Sequence, residues 1–405
     1  MSRIFIVSSG YPYGNGEAFL HNEVKYLAQY FDELYIFPLQ EPERYDVQGG
    51  LPVNVKVFKP FLPRSISNRL KGLLFSRAPI MPHLSELLVL MKTGRSGFIE
   101  KLRRWFIHLV ITRIFFSSQT FSFIKGNLGS NDVLYFYWCR GPAHLAPLFG
   151  HEHTFIRCHG GELELDRYNG YIPFFKRVID EKSIILAISE YCKGRVLTIK
   201  PKAEVVISRL GTYDQGMNPA ASQRKDRIVI ASCSSLIPLK RVHLIIQALG
   251  DIKSVDIRWL HFGDGNQMDR LKDLAGQILS DNVQYYFMGN VSNEELMNYY
   301  RSNHIDLFIN VSLFEGLPVS LMEAMSFGIP CFATNVGGSG EIVNKTNGIL
   351  VPRNFDTELL TRTILQSQSK IFLAKRHNAR CDWRRNYDAH SNFGRLKDIF
   401  INQIA

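Results

Sequence analysis

The feature that most limits the fold of this chain is the alternation, after residue 226, of short apolar runs with longer amphipathic ones. Arg227 to Cys233 reads as a buried strand and Val242 to Leu249 as a helix. Strand Ile257 to Phe262, helix Met268 to Leu279, strand Val283 to Met288 and helix Asn293 to Arg301 follow. The series continues with strand Asp306 to Val311, helix Val319 to Phe327, strand Pro330 to Ala333 and a helix opening near Gly340. Strands of about six residues separated by helices of about ten imply parallel pairing through right-handed crossovers, hence a doubly wound sheet. The N-terminal half begins in the same way, with strand Ile4 to Val7, helix Phe19 to Gln29 and strand Glu33 to Phe37. A basic segment over 59–125 interrupts it before Asp132 to Tyr137 and Thr154 to Cys158 resume the pattern. At 405 residues the chain is too long for one core. The expected architecture is therefore α/β, with two Rossmann-like doubly wound domains over 1–212 and 213–385. A final helix within 386–405 is expected to pack back on the first domain. The polar stretch Tyr213 to Asp226 reads as the hinge.

Charge and cysteine usage narrow the function classes. Twelve Lys or Arg stand against only Glu86 and Glu100 between Lys59 and Lys125, which accounts for nearly all of the net +11. So local an excess points to one anionic surface as partner. The apolar start Ile4 to Val7 is too short for a secretory signal, and the greasy run Trp105 to Phe116 is broken by His108 and Arg113. The six cysteines include no C-x-x-C pair, which argues for reduced structural thiols in a cytoplasmic protein and against a zinc site. Nothing resembles a nucleic-acid-binding motif.

The segment Asn310 to Ala324 carries the most chemistry. A buried strand ends in a loop holding Glu315 and Gly316, and Pro318 is expected at the first position of the following helix. A helix N-terminus at the carboxyl end of a parallel strand offers free amides to a phosphate. Glu323 lies about one turn further on, and helical side chains lean toward the N-terminus, so its carboxylate can reach the same ligand. Two carboxylates suit a phosphate poorly, but each accepts two hydroxyls of a ribose or hexose.

The spacing of Glu315 and Glu323, with Gly-Leu-Pro-Val-Ser-Leu-Met between them and Ala333 to Gly338 and Glu341 beyond, resembles the E-x7-E signature of retaining glycosyltransferase family 4. The likeness spans about residues 205–352 and is weaker in the N-terminal half. It implies the GT-B fold, two Rossmann-like domains facing across a cleft, and a nucleoside-diphosphate sugar as donor, with a UDP-sugar expected. By position, Glu315 would bind the donor sugar, Glu323 the ribose hydroxyls, and the backbone of Gly316 and Leu317 the sugar and diphosphate. Lys240 would neutralise the leaving diphosphate, with no metal. The family's Arg five residues earlier is replaced by Ser235, and its following Gly by Arg241, which could serve as second cation. The loop at Gly289 and Asn290 would face the nucleobase. Arg157-Cys158-His159-Gly160 resembles the family's Arg-x-His-Gly segment, which would turn His159 toward the reacting sugar. In the loop Ser9 to Glu17, Gly14 and Gly16 would let backbone approach the acceptor side.

The resemblance implies sugar transfer with retention to a glycan acceptor, lipid-linked or polysaccharide. A sugar-nucleotide epimerase on the same fold and a catalytically idle sugar-nucleotide binder are the competing readings. Within 59–125, basic residues alternate with bulky apolar ones around Arg103, Arg104, Trp105 and Phe106, as in helices that lie on anionic membranes. That pattern predicts peripheral attachment to the inner face of the plasma membrane, the alternative being ordinary outer helices of the first domain with solvated faces.

Overall fold

The computed structural model describes residues 2–404 apart from 14–16, 48–49, 77, 95, 180–182 and 220–226. Gly14, Gly16 and the second half of the expected hinge lie outside the described residues. The chain divides into two compact units, Met1–Ser208 with Phe393–Ala405, and Arg209–Asn392. The first boundary precedes residue 212 because 209–212 is pinned to the end of the second unit. Thr212 N donates to Tyr387 O at 2.9 Å and Ala389 N to Thr212 O at 3.0 Å. A Cβ at Gly211 would lie 2.6 Å from Ala389 Cα, so only glycine admits this approach.

The first unit holds strands β1 (Arg3–Ser8), β2 (Glu33–Pro38), β3 (Val55–Val57), β4 (Val133–Phe136), β5 (Thr154–Cys158), β6 (Ser183–Ala187) and β7 (Val205–Ile207). They form one parallel sheet in the order β3-β2-β1-β4-β5-β6-β7. The central strands are buried along nearly their whole length, as a sheet covered on both faces requires. Leu396 and Phe400, on the last helix Ala389–Ile404, belong to this unit's core.

The second unit holds β8 (Arg227–Cys233), β9 (Asp256–Phe262), β10 (Val283–Phe287), β11 (Leu307–Asn310), β12 (Cys331–Thr334) and β13 (Gly348–Val351). Their order is β10-β9-β8-β11-β12-β13, all parallel. The direction of winding reverses between β8 and β11 here, and between β1 and β4 in the first unit. Crevices at such switch points are where open α/β sheets bind ligands.

The basic segment folds into helices Ile66–Phe75, Met81–Met91, Phe98–Phe116 and Gln119–Asn127. Several of its motif residues face inward rather than toward a surface. Phe115 is fully buried, Trp105 Nε1 donates to His83 O at 2.9 Å, and Lys101 is buried with Nζ on Thr93 O at 2.9 Å. Arg104 packs beside Glu100 and over the Tyr168 ring, while Arg103 stays exposed. The exposed apolar side chains of the segment include Met81, Leu84, Leu88, Met91, Ile99 and Phe106. Among the described residues no single helix is long and apolar enough to cross a membrane. The pair Phe98–Phe116 and Gln119–Asn127, bent by 64°, meets the length and composition together.

Candidate active site

The switch point of the second unit brings Lys240 and Glu315 together. After β8 the chain makes a 3-10 turn, Pro238–Lys240, before the helix His243–Gly250. Lys240 Nζ lies 2.6 Å from Glu315 Oε1. Ser312 Oγ and Asn310 Nδ2 donate to the same oxygen at 2.6 and 3.2 Å. The Glu315 carboxylate is therefore buried, but compensated by a cation and two neutral donors.

Glycines hold the loop that carries it. Gly337 is left-handed (φ +54°), and a Cβ there would fall 1.6 Å from Glu315 O; Gly338 N donates to Gly316 O at 2.8 Å. The carbonyl of Gly316 is thus occupied, while among the described residues no protein acceptor lies on the amides of Gly316 and Leu317. Pro318 is extended (φ −71°, ψ 108°) and precedes the helix Val319–Ser326, so it caps rather than opens it.

Glu323 lies in the second turn of that helix and is buried. Its Oε1 accepts from Asn293 Nδ2 at 2.6 Å. Asn293 opens the helix Asn293–Ser302, whose start is set by a capping box between Ser292 and Glu295. Burial pushes Glu323 up to about 7, against which the Asn293 hydrogen bond acts weakly. Asn290 lines a cavity of about 430 Å³ at the carboxyl ends of β8 and β9, with Ser234, Ser235, Gly263, Asp264 and Val291.

Arg241 does not stand as a second cation in this site. Its guanidinium donates to three backbone carbonyls, Val311 O at 2.7 Å, Arg353 O at 2.9 Å and Ser312 O at 3.3 Å. The residue is left-handed (φ +49°), and its guanidinium bonds to backbone carbonyls, whereas the Lys240 ammonium bonds to Glu315. The cation absent at Ser235 is not replaced from position 241.

The model of the family described as "Glycosyl transferases group 1" matches residues 217–378, which include every one of these second-unit groups. The C-terminal unit belongs to the group 1 glycosyl transferases. The putative colanic acid biosynthesis glycosyltransferase WcaL of Escherichia coli K12 is 28% identical over 218 residues, covering 49% of this chain and 51% of that protein. The chain thus spans about half the length of the curated relatives it matches. At the level of fold the likeness covers nearly everything. The lipopolysaccharide outer core galactosyltransferase WaaB aligns with a TM-score of 0.67 at 14% identity over 98% of this chain and 99% of the other. Anabaena Alr3699/HepE, solved with UDP and glucose, aligns with a TM-score of 0.64 at 16% identity over 99% and 100%. Both units are accordingly the Rossmann-like domains of the GT-B fold.

The site of the second unit is matched in the first unit by another set of groups at strand ends. His159, just past β5, donates from Nε2 to Tyr137 O at 2.9 Å, which leaves Nδ1 as its acceptor. Burial, and then the Arg157 charge, push His159 down to about 3, so the ring is neutral at physiological pH. Arg157 is fully buried, and its Nη2 lies 3.0 Å from Glu23. It serves the scaffold: Tyr135 OH bonds Glu23 at 2.8 Å, and Arg157 Nη2 donates to Ser208 Oγ at 3.2 Å.

Two residues here escape sequence reasoning. Glu17 accepts from the amides of Ser9, Gly10 and Tyr11 at 3.1, 2.6 and 2.7 Å, and from Trp138 Nε1 at 2.5 Å. The half-buried Trp138 lies with its ring centroid 4.3 Å from that of His159. Neither sits in a recognisable motif, although a Glu closing a glycine-rich strand-to-helix loop was a signal available to read. The fold also brings together cysteines far apart in sequence. Cys139, Cys158 and Glu162 place potential ligand atoms within 4.8 Å of one another, and Cys192 Sγ lies 3.2 Å from Cys158 O. Burial pushes the thiols of Cys139 and Cys158 up, and Glu162 is engaged by the His159 amide at 2.8 Å, as suits packing groups.

Proposed function

We propose that this protein is a retaining glycosyltransferase that moves a sugar from a nucleoside-diphosphate sugar, a UDP-sugar, to a hydroxyl of a lipid-linked or polysaccharide glycan. The observation that carries the reading is the Lys240–Glu315 pair at the switch point of the transferase unit. Support for the donor comes from HepE, a fold neighbour solved with UDP and glucose. Support for the acceptor class comes from WcaL, named for colanic acid biosynthesis, and WaaB, named for the lipopolysaccharide outer core.

In this reading the sugar donor's diphosphate takes Lys240 from Glu315, and the released carboxylate accepts hydroxyls of the transferred sugar. The amides of Gly316 and Leu317 meet the diphosphate, and ionised Glu323 accepts the ribose hydroxyls. The acceptor oxygen bonds to the anomeric carbon as the carbon–oxygen bond to the diphosphate breaks. The acceptor's proton passes to the departing diphosphate oxygen on the same face, which retains configuration. Charge growing on the leaving group is met by Lys240 and backbone amides, so no metal is required. Exposed apolar side chains between Met81 and Phe106, with basic residues such as Arg103, seat the first unit on an anionic bilayer.

One observation favours an idle binder instead: Ser235 carries no charge, and Arg241 is committed to carbonyls. Incubation with labelled UDP-sugars, with and without lipid-linked oligosaccharide, separates the readings. Acceptor-dependent product with the donor's anomeric configuration supports transfer. Epimerised nucleotide sugar without acceptor, or binding with no product from any donor, refutes it.

A further inference from the structure

The switch point of the first unit is built around groups other than Lys240, Glu315 and Glu323. It lies between β1 and β4. The amides after β1 form a concave set of N–H donors of the kind that receives phosphate in many Rossmann sheets. Here Ser9, Gly10 and Tyr11 all donate to Glu17 of the same chain. The anion site is closed by a carboxylate, so this crevice is not offering itself to a phosphate.

Beside the closed loop stands an aromatic side chain, half-buried and packed against the core of the unit. Trp138 follows β4, and its only polar atom is tied to Glu17 Oε1 at 2.5 Å. The four tryptophans of the chain all satisfy their indole N–H, on His83 O, Glu17, Ser232 Oγ and Thr212 Oγ1. Trp259 and Trp383 are fully buried, whereas Trp138 is half-buried at a strand's carboxyl end. Its ring leans on His159 at an interplanar angle of 36°. An indole with its polar edge anchored presents an apolar, electron-rich face. That face complements the C–H face of a pyranose, whose hydrogens carry partial positive charge. Nδ1 of His159 then stands beside it as an acceptor for a sugar hydroxyl.

We propose that Trp138 is the stacking platform for a pyranose of the acceptor glycan, with Glu17 as the positioning residue that fixes the indole. The proposal rests on the transferase reading for the word acceptor, but the platform is testable without turnover. The full chain is labelled at tryptophan indole nitrogens, which gives resonances for four tryptophans. Trp138→Phe identifies one by its disappearance. Methyl glycosides of glucose, galactose and N-acetylglucosamine are then titrated, and UDP affinity is measured on the same samples by calorimetry.

The expected result is that at least one glycoside moves the Trp138 resonance and leaves those of Trp259 and Trp383 in place. Glu17→Gln should displace the Trp138 resonance before any sugar is added, because the indole loses a charged acceptor. Trp138→Phe should retain most of the glycoside affinity, followed by saturation transfer to the sugar protons, and Trp138→Ala should lose roughly ten-fold. If all three glycosides leave the Trp138 resonance unmoved while UDP binds, the platform is wrong and the transferase reading stands. Equal saturation in Trp138→Ala and wild type overturns it as well. Absence of UDP binding counts against the transferase reading, and the glycoside titration still decides the platform.

Discussion

Replacing Glu323 by glutamine should stabilise the free protein at neutral pH while impairing the sugar-donor site proposed for it. Burial raises Glu323 from an ordinary value of 4.5 to about 7. Ionising it in the folded chain therefore costs about 3 kcal/mol more than in the unfolded one, at about 1.4 kcal/mol per unit. The sign follows from proton counting. Between pH 4.5 and 7 the folded state holds a proton that the unfolded state has released, so wild-type stability falls as pH rises through this window. Above it the full cost persists. Glutamine keeps a carbonyl oxygen to accept from Asn293 and has nothing to ionise. Urea unfolding of both proteins below and above that window cancels every other titration. The difference between them should swing by about 3 kcal/mol in favour of Glu323→Gln at the higher pH. A swing below about 1 kcal/mol would refute the burial argument. UDP-glucose supplies the second arm, since its diphosphate charge is constant across neutral pH. If ionised Glu323 accepts both ribose hydroxyls, wild-type affinity should rise about ten-fold from pH 6 to 8. In Glu323→Gln it should be weak and flat.

Lys240→Ala should reduce kcat by about 10²–10³ in an assay of sugar transfer, and turnover should be indifferent to a chelator. Arg241→Met should behave oppositely, lowering stability by about 3 kcal/mol in urea melts as three carbonyl contacts are lost, while kcat changes little at permissive temperature. On anionic liposomes, Ile99→Ser with Phe106→Ser should reduce sedimentation more than Arg103→Glu with Arg104→Glu, because Arg104 is turned inward. Binding that ignores the apolar pair and collapses in salt would make the contact purely electrostatic.

The parallel strands of the second unit are legible because each is a buried apolar run followed by an amphipathic helix. The expected strand Val283 to Met288 is observed as Val283–Phe287, and Ile257 to Phe262 as Asp256–Phe262. β3 and β7 leave no such mark, being three residues long and only partly buried. In the site, the types and spacing of Glu315 and Glu323 are legible, but their partners are not. Asn293 is thirty residues from Glu323 and looks like any polar residue at a helix start. Lys240 and Arg241 are adjacent cations in the sequence, and the resemblance alone leaves open whether Arg241 joins Lys240 in the site. Their partners separate them, Glu315 for Lys240 and three backbone carbonyls for Arg241, and no local composition announces it. Trp138 is hidden differently, since it continues the apolar run of β4 and its neighbours Tyr137 and Cys139 are buried.

The two units show how one loop chemistry can be spent in two ways. In both, a parallel strand ends at a switch point and delivers backbone amides toward the following helix. In the second unit the carboxylate of Glu315 is drawn to Lys240, and the amides of Gly316 and Leu317 have no protein acceptor among the described residues. In the first, Glu17 draws three amides onto itself. A phosphate arriving at the first loop would have to displace a carboxylate that four N–H groups already hold, counting the indole of Trp138. At the second it would meet free amides and a lysine that can change partners. This asymmetry supports seating the sugar donor's diphosphate on the second unit. It also leaves the first unit's crevice to a neutral, hydroxyl-bearing ligand, for which an indole face and the Nδ1 lone pair of a neutral histidine are the better match.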